Sequence, residues 1–178
     1  YIDQLTTQAF AGAKANGRSV NDYLTAAERF SRAGYRGNID DLSKLSLMTQ
    51  NIGGVEEETA AKFLLAADAA WKLEGSYDAL MEVLDGVSAV ADQNATDLEK
   101  IAEGITVAGS AMANAGESAA TFTAMLGVTT ASTQRSGSEM ARGLRMILFR
   151  VRQVKAEFED GEIVDQDAIS NAANALKN

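Results

Sequence analysis

The chain has no cysteine, no histidine and no proline in 178 residues. Without cysteine there is no disulfide, no thiolate metal ligand and no thiol nucleophile. Without histidine the commonest metal ligand and the commonest general base are missing. Zinc sites built on these residues, Ser-His-Asp triads and Cys-His dyads are therefore excluded within this chain. Average usage would supply roughly nine prolines. Their absence suits uninterrupted helix, because proline costs a helix interior about 3 kcal/mol. Aromatic residues are scarce, at 6%. No apolar run approaches the roughly 20 residues of a membrane-spanning helix, and no charged-then-apolar leader opens the chain. It begins at Tyr1 rather than methionine, which reads as a piece of a longer protein or a processed one.

What is present is a chain long enough for one or two domains. Hydrophobic residues make up 46%, and 32 residues are alanine. Small side chains let helices approach closely but bury little area each, so Leu, Ile, Phe and Met carry most of the core. The net charge of −9 and pI near 4.5 argue against a general nucleic-acid binder, which needs a basic face.

Apolar residues recur at helical spacing throughout. The pattern predicts an all-α protein of eight or nine helices, a multi-helix bundle or short helical array. Helix one covers residues 2–15 and stops at Gly17. Ser19 with Asp22 caps the second, and Asn38 with Asp41 the third, which Gly53-Gly54 ends. Glu56, Glu57 and Glu58 open the fourth at its positive dipole end, a solvated helix start. Ala60, Phe63, Leu64, Ala67, Ala70 and Trp71 form its apolar face, and it runs to near Gly75. The fifth covers residues 77–91. Thr96 and Glu99 form a capping box for the sixth, which Gly116 closes, and Ser118 opens the seventh. Ser136 and Glu139 box the eighth, with Met140, Leu144, Ile147, Leu148, Val151, Val154 and Phe158 as its stripe. Residues 165–177 suit a short ninth helix. Trp71 reads as core, as do Met112, Met125, Met140 and Met146.

A shift of 80 residues lays Leu42 on Phe122, Leu45 on Met125, Thr49 on Thr129, Ala61 on Ala141, Lys62 on Arg142 and Leu64 on Leu144, suggesting two similar halves. The expected organisation is an N-terminal helix continuing a longer chain (1–18), a first helical half (19–93), a second half ending in a long basic and apolar helix (94–160), and an acidic turn with a short C-terminal helix (161–178).

Motifs for chemistry are weak. Asp92, Asn94, Thr96 and Glu103 hold calcium-loop positions 1, 3, 5 and 12, but Asp97 stands where the sharp-turn glycine belongs. A second mimic around Gly161 has Ala156 and Phe158 at ligand positions. Gly104 and Gly109 have P-loop spacing without its lysine or a preceding strand. They read instead as points of close helix contact or a kink. No carboxylate pair stands out as an acid and base. No catalytic, cofactor-binding or metal site is assigned.

Charge patterning is more informative. Arg135, Arg142, Arg145, Arg150, Arg152 and Lys155 cluster against a single acid, Glu139, and an acidic run follows from Glu157. On a helix, Arg142, Arg145 and Arg152 fall within about an 80° arc beside the apolar stripe. That face is either solvated or a candidate interaction face toward an acidic partner or another copy.

Several blocks carry a family likeness: Gly37-Asn-Ile-Asp-Asp-Leu42, Ile52-Gly-Gly-Val-Glu-Glu-Glu-Thr-Ala-Ala61, Asp97-Leu-Glu-Lys-Ile-Ala-Glu-Gly-Ile105, Ala115-Gly-Glu-Ser-Ala-Ala-Thr-Phe-Thr-Ala-Met-Leu126 and Arg135-Ser-Gly-Ser-Glu-Met-Ala-Arg-Gly-Leu-Arg145. Over residues 20–155 their cadence resembles the core region of bacteriophage and prophage tail tape measure proteins. The family usually has an Ala-Gly pair before the last helix, where this chain has Arg135-Ser-Gly137, and nothing after Phe158 matches. The resemblance implies a non-enzymatic virion protein without cofactors, assembled in the bacterial host cytoplasm. It would occupy the tail lumen and set tail length. Its implied partners are the tail tube protein, tail assembly chaperones and other tape measure copies, as a homo-oligomer without specific nucleic-acid binding. As one straight helix the chain would span roughly 270 Å, although its glycine turns favour a compact module. The competing reading is a soluble helical interaction module, an adaptor or secreted effector domain.

Overall fold

A computed structural model describes residues 2–159, with side-chain surroundings for residues 6–153. The described residues form eight helices and no strand: α1 (Ile2–Asn16), α2 (Val20–Arg32), α3 (Ile39–Gly53), α4 (Glu57–Trp71), α5 (Tyr77–Gln93), α6 (Leu98–Asn114), α7 (Ala119–Thr133) and α8 (Gly137–Glu159). The expected ninth helix lies outside these residues. The chain divides into two units between Arg142 and Gly143, inside α8.

In the first unit α4 packs most broadly on α6, and also on α2 and α3. Its alanines make this possible. Ala60, Ala61, Phe63, Leu64, Ala67 and Ala70 are all buried, so α4 is apolar around most of its girth. Gly109 of α6 lies against it, where an added Cβ would stand 3.4 Å from that of Ala70. Leu42, Leu45 and Leu47 of α3, Leu80 and Leu84 of α5, Ile101 and Ile105 of α6, and Phe122 and Leu126 of α7 complete the core.

Three helices of the first half, α2, α3 and α4, have counterparts in the second, α6, α7 and α8. Helices α3 and α7 have 15 residues each and are offset by 80, and α4 and α8 start with the same offset. The residues after α3 and α7, Gly54 and Gln134, are both left-handed. Buried Leu42 and Ser43 answer to buried Phe122 and Thr123, and buried Ala61 to buried Ala141. Helices α2 and α6 start 78 apart, behind Ser19 and Asp97 as N-caps. Buried Tyr23, Ala27 and Phe30 then answer to Ile101, Ile105 and Ala108. Both helices leave through the same turn. Ala33 and Ala115 are right-handed, Gly34 and Gly116 have φ of +101° and +88°, and the next amide bonds back five residues to Phe30 or Met112.

Helix caps partly follow expectation. Ser19 and Asp22 make the full capping box, and Ser118 caps α7. Asn38 does not cap α3 with its side chain, which instead donates to the carbonyl of Gly75. The N-cap of α6 is Asp97 rather than Thr96, whose hydroxyl pairs with Thr130 at 3.0 Å. Helix α4 ends at Trp71 behind left-handed Lys72, before Gly75 is reached. Ser136 Oγ accepts from the Glu139 amide at 3.3 Å, but the Glu139 carboxylate pairs with Arg135.

In the second unit the expected stripe is largely uncovered. Leu144 and Leu148 are half-buried, whereas Ile147 and Val151 are exposed. Val154 and Phe158 lie outside the described side chains. Of the methionines expected in the core, Met112 is buried and Met140 half-buried, but Met125 and Met146 are exposed. Periodicity assigns residues to a face. It does not supply a neighbour to cover that face.

Candidate interaction faces

Helix α8 begins directly on the backbone of α6. A Cβ on Gly137 would stand 1.5 Å from the Lys100 carbonyl oxygen, so only glycine fits there. Opposite it, a Cβ on Gly104 would stand 3.2 Å from the Gly137 carbonyl oxygen and 2.6 Å from both methyl carbons of Leu126. The P-loop spacing of Gly104 and Gly109 is thus a pair of close helix contacts.

Along α8, Arg142, Arg145 and Arg152 are all exposed. Among the described residues, neither Arg142 nor Arg145 forms an ion pair. The arc they define is not purely basic. Phe149 falls inside it with 63% of its surface exposed, and Arg145, Met146, Phe149 and Arg150 line a shallow depression. Sequence reasoning placed neither Phe149 nor exposed Met146 on this face. The adjacency of Phe149 to the arginines on a helical wheel was the available signal.

A second surface feature is a half-open cleft of about 290 Å³ in the first unit, lined by Trp71, Leu73, Val83, Ala119 and Thr123 among others. Trp71 is half-buried at its edge rather than enclosed, and its indole donates to the Glu117 carbonyl at 3.0 Å. Glu82 is the one charged residue in the lining, so the cleft offers packing and no paired acid and base.

Two carboxylates, Asp68 and Asp40, tie helices together through tyrosine hydroxyls. Asp68 accepts from the Tyr35 hydroxyl and from the Gly75 amide at 2.8 Å, joining the α2–α3 turn to α4 and to the turn after it. Asp40 accepts from the Tyr23 hydroxyl at 2.7 Å and from Lys44 at 2.8 Å. Burial, and then the bond to the neighbouring carboxylate, pushes both phenols well above their ordinary range. Glu57 is pushed up by burial and pulled back by Arg29 at 3.1 Å. Exposed Glu58 is lowered by Lys62 and Arg29.

The first calcium-loop mimic is two helix ends back to back. The Asn94 side chain donates to the Val90 carbonyl, Thr96 bonds to Thr130, and Asp97 caps α6. Only the start of the second mimic lies within the described residues. Among them no cluster of three metal-ligating side chains occurs, and no helix is long and apolar enough to cross a membrane.

The described residues form an all-helical protein with polar ties between its helices and an exposed helix face that is both apolar and basic. Over residues 6–177 the chain matches the phage-related minor tail protein family. It belongs to that family and is a phage tail protein. No curated protein and no solved structure matches it.

Proposed function

We propose that this chain is a segment of a tail tape measure protein, a non-enzymatic component that sets tail length from within the tube. The observation carrying this reading is the family match over nearly the whole chain, joined to the tape-measure cadence of the blocks between Gly37 and Arg145. Two corresponding halves also suit a ruler, which gains length by adding units of one kind. On this reading the partners are the tail tube protein, the assembly chaperones and other copies of the chain. The site is the tail lumen.

The test is an in-frame deletion of 80 residues, one offset between the halves, from the phage gene, with tail length measured by electron microscopy. If the segment counts as helix in the ruler, tails shorten by about 120 Å, at 1.5 Å per residue. Tails of unchanged length would leave the chain as a helical interaction module of the tail with no ruler role.

A further inference from the structure

We propose that the first unit carries a docking surface for a basic amphipathic helix of a partner protein. The cleft beside Trp71, the outer face of α7 and the acidic edge of α5 make it up. Such a surface would serve a tail protein whether or not it measures length.

Helix α7 is unusual in what it lacks. Residues 118–134 contain no charged side chain. A helix without a charged face is ordinarily covered. Yet Ala120, Ala124 and Val128 form an exposed row at i, i+4 and i+8, with exposed Met125 beside it. The exposed hydroxyls of α7 are already bonded. Thr121 pairs with the N-cap hydroxyl of Ser118 at 2.9 Å, and Ser132 and Thr133 each donate at 2.7 Å to the carbonyl four residues back. A partner can cover them without leaving a hydroxyl unpaired. The row leads into the cleft, which Ala120 lines. Gly86 keeps the α5 wall of that cleft open, since an added Cβ there would meet nothing within 4 Å.

The opposite border is acidic, and it selects the occupant. Helix α5 carries Asp78, Glu82, Asp85 and Asp92 and no Lys or Arg. All four are exposed, and among the described residues none of them forms an ion pair. Asp78, Glu82 and Asp85 stand at i, i+4 and i+7 within about a 60° arc, and Glu82 lines the cleft. Lys or Arg along one edge of a partner helix would reach these carboxylates. The apolar edge of that helix would lie on α7 and send one large side chain into the cleft. Exposed ion pairs add little affinity, but they fix orientation and exclude wrong partners. A second copy presenting this same face brings carboxylates rather than cations, and an anionic lipid surface is repelled by them.

Trp71 is the single tryptophan and lines the cleft, so its fluorescence reports occupancy. The whole chain is titrated with three tryptophan-free synthetic peptides. These are a Leu/Lys amphipathic helix, the same composition scrambled to remove its apolar face, and a Leu/Glu amphipathic helix. Only the first should shift Trp71 emission to shorter wavelength, and the shift should saturate. Asp78→Asn, Glu82→Gln and Asp85→Asn together should weaken this binding by about tenfold or more. Asp41→Asn, Glu56→Gln and Glu99→Gln together remove the same charge from exposed positions elsewhere and should leave it unchanged. Ala120→Asp should also weaken it, although the added carboxylate would strengthen a purely electrostatic attraction. Circular dichroism checks that each variant keeps its helix. No shift with the Leu/Lys peptide, equal binding of the scrambled or Leu/Glu peptide, equal loss in both triple variants, or undiminished binding by Ala120→Asp would each overturn the proposal. So would a dimer of the chain alone that Ala120→Asp dissociates, which gives the face to a second copy. A Trp71 shift with phosphatidylcholine vesicles would overturn it too, by giving the face to lipid.

Discussion

The indole nitrogen of Trp71 donates to the Glu117 carbonyl oxygen at 3.0 Å, so the last residue of α4 holds the turn between α6 and α7. The same turn is closed from within by the Glu117 amide bonding to Met112. The single tryptophan therefore ties the first half of the chain to the second. Trp71→Phe keeps most of the bulk and removes the donor, so stability should fall by about 1 kcal/mol. Urea unfolding followed by circular dichroism checks this. An unchanged midpoint would mean that the indole contributes packing alone.

Tyr23 and Tyr35 make a second prediction. In the fold Tyr23 is buried and Tyr35 half-buried, and each phenol is bonded to a carboxylate, Asp40 or Asp68, which favours the neutral form. Their contribution to stability is full below the ordinary phenol pKa of about 10 and is lost as the pH rises above it. These two of the four tyrosines should ionise only as the helices melt. Phenolate absorbance should then include a cooperative step that coincides with loss of helical circular dichroism. A gradual rise of all phenolate absorbance with the helices intact would contradict the geometry. Tyr35→Phe should cost about 1–3 kcal/mol near neutral pH, because Asp68 loses a buried partner.

Most helices were legible because apolar spacing and caps agreed locally, as at Ser19 with Asp22. The failures have a common cause in contacts distant along the chain. Asn38 looks like an N-cap, but its amide is drawn to Gly75, 37 residues away. Thr96 and Asp97 are adjacent candidates for one cap, and Thr130 decides between them by engaging Thr96. The basic face of α8 was legible from composition as Arg142, Arg145 and Arg152. Its exposed Phe149, and the uncovered Ile147 and Val151, were not, because a helical wheel records direction and says nothing of what lies there. Gly104 was readable as a contact glycine, although its partners Leu126 and Gly137 were not.

Those glycines can be sorted by substitution. Gly104→Ala would push a methyl group into fully buried Leu126, costing about 1–3 kcal/mol. Gly137→Ala should cost more, since it meets the backbone of Lys100 and must lift the start of α8. Gly86, within α5, has open space around an added Cβ. There alanine should raise stability by roughly 0.5–1 kcal/mol through helix propensity alone. Thermal melts of the three variants should rank Gly86→Ala above wild type, then Gly104→Ala, then Gly137→Ala. A Gly137→Ala protein as stable as wild type would show that α8 does not begin on α6.

Glu57 sets burial against an ion pair. Arg29 approaches one carboxylate oxygen at 3.1 Å, while the other is buried with no hydrogen-bond partner. Burial outweighs the pair, so the folded protein holds this proton more tightly than the unfolded chain does. The group therefore favours the fold in acid, and that contribution is lost as the pH rises through its raised pKa. Glu57→Gln keeps the shape and an acceptor for Arg29 but cannot ionise. Its melting temperature relative to wild type should climb from about pH 4 to about pH 7, as the wild-type carboxylate is forced to charge. A relative melting temperature that falls over the same range would mean that attraction to Arg29 dominates, and that α2 and α4 are held together by this charge pair.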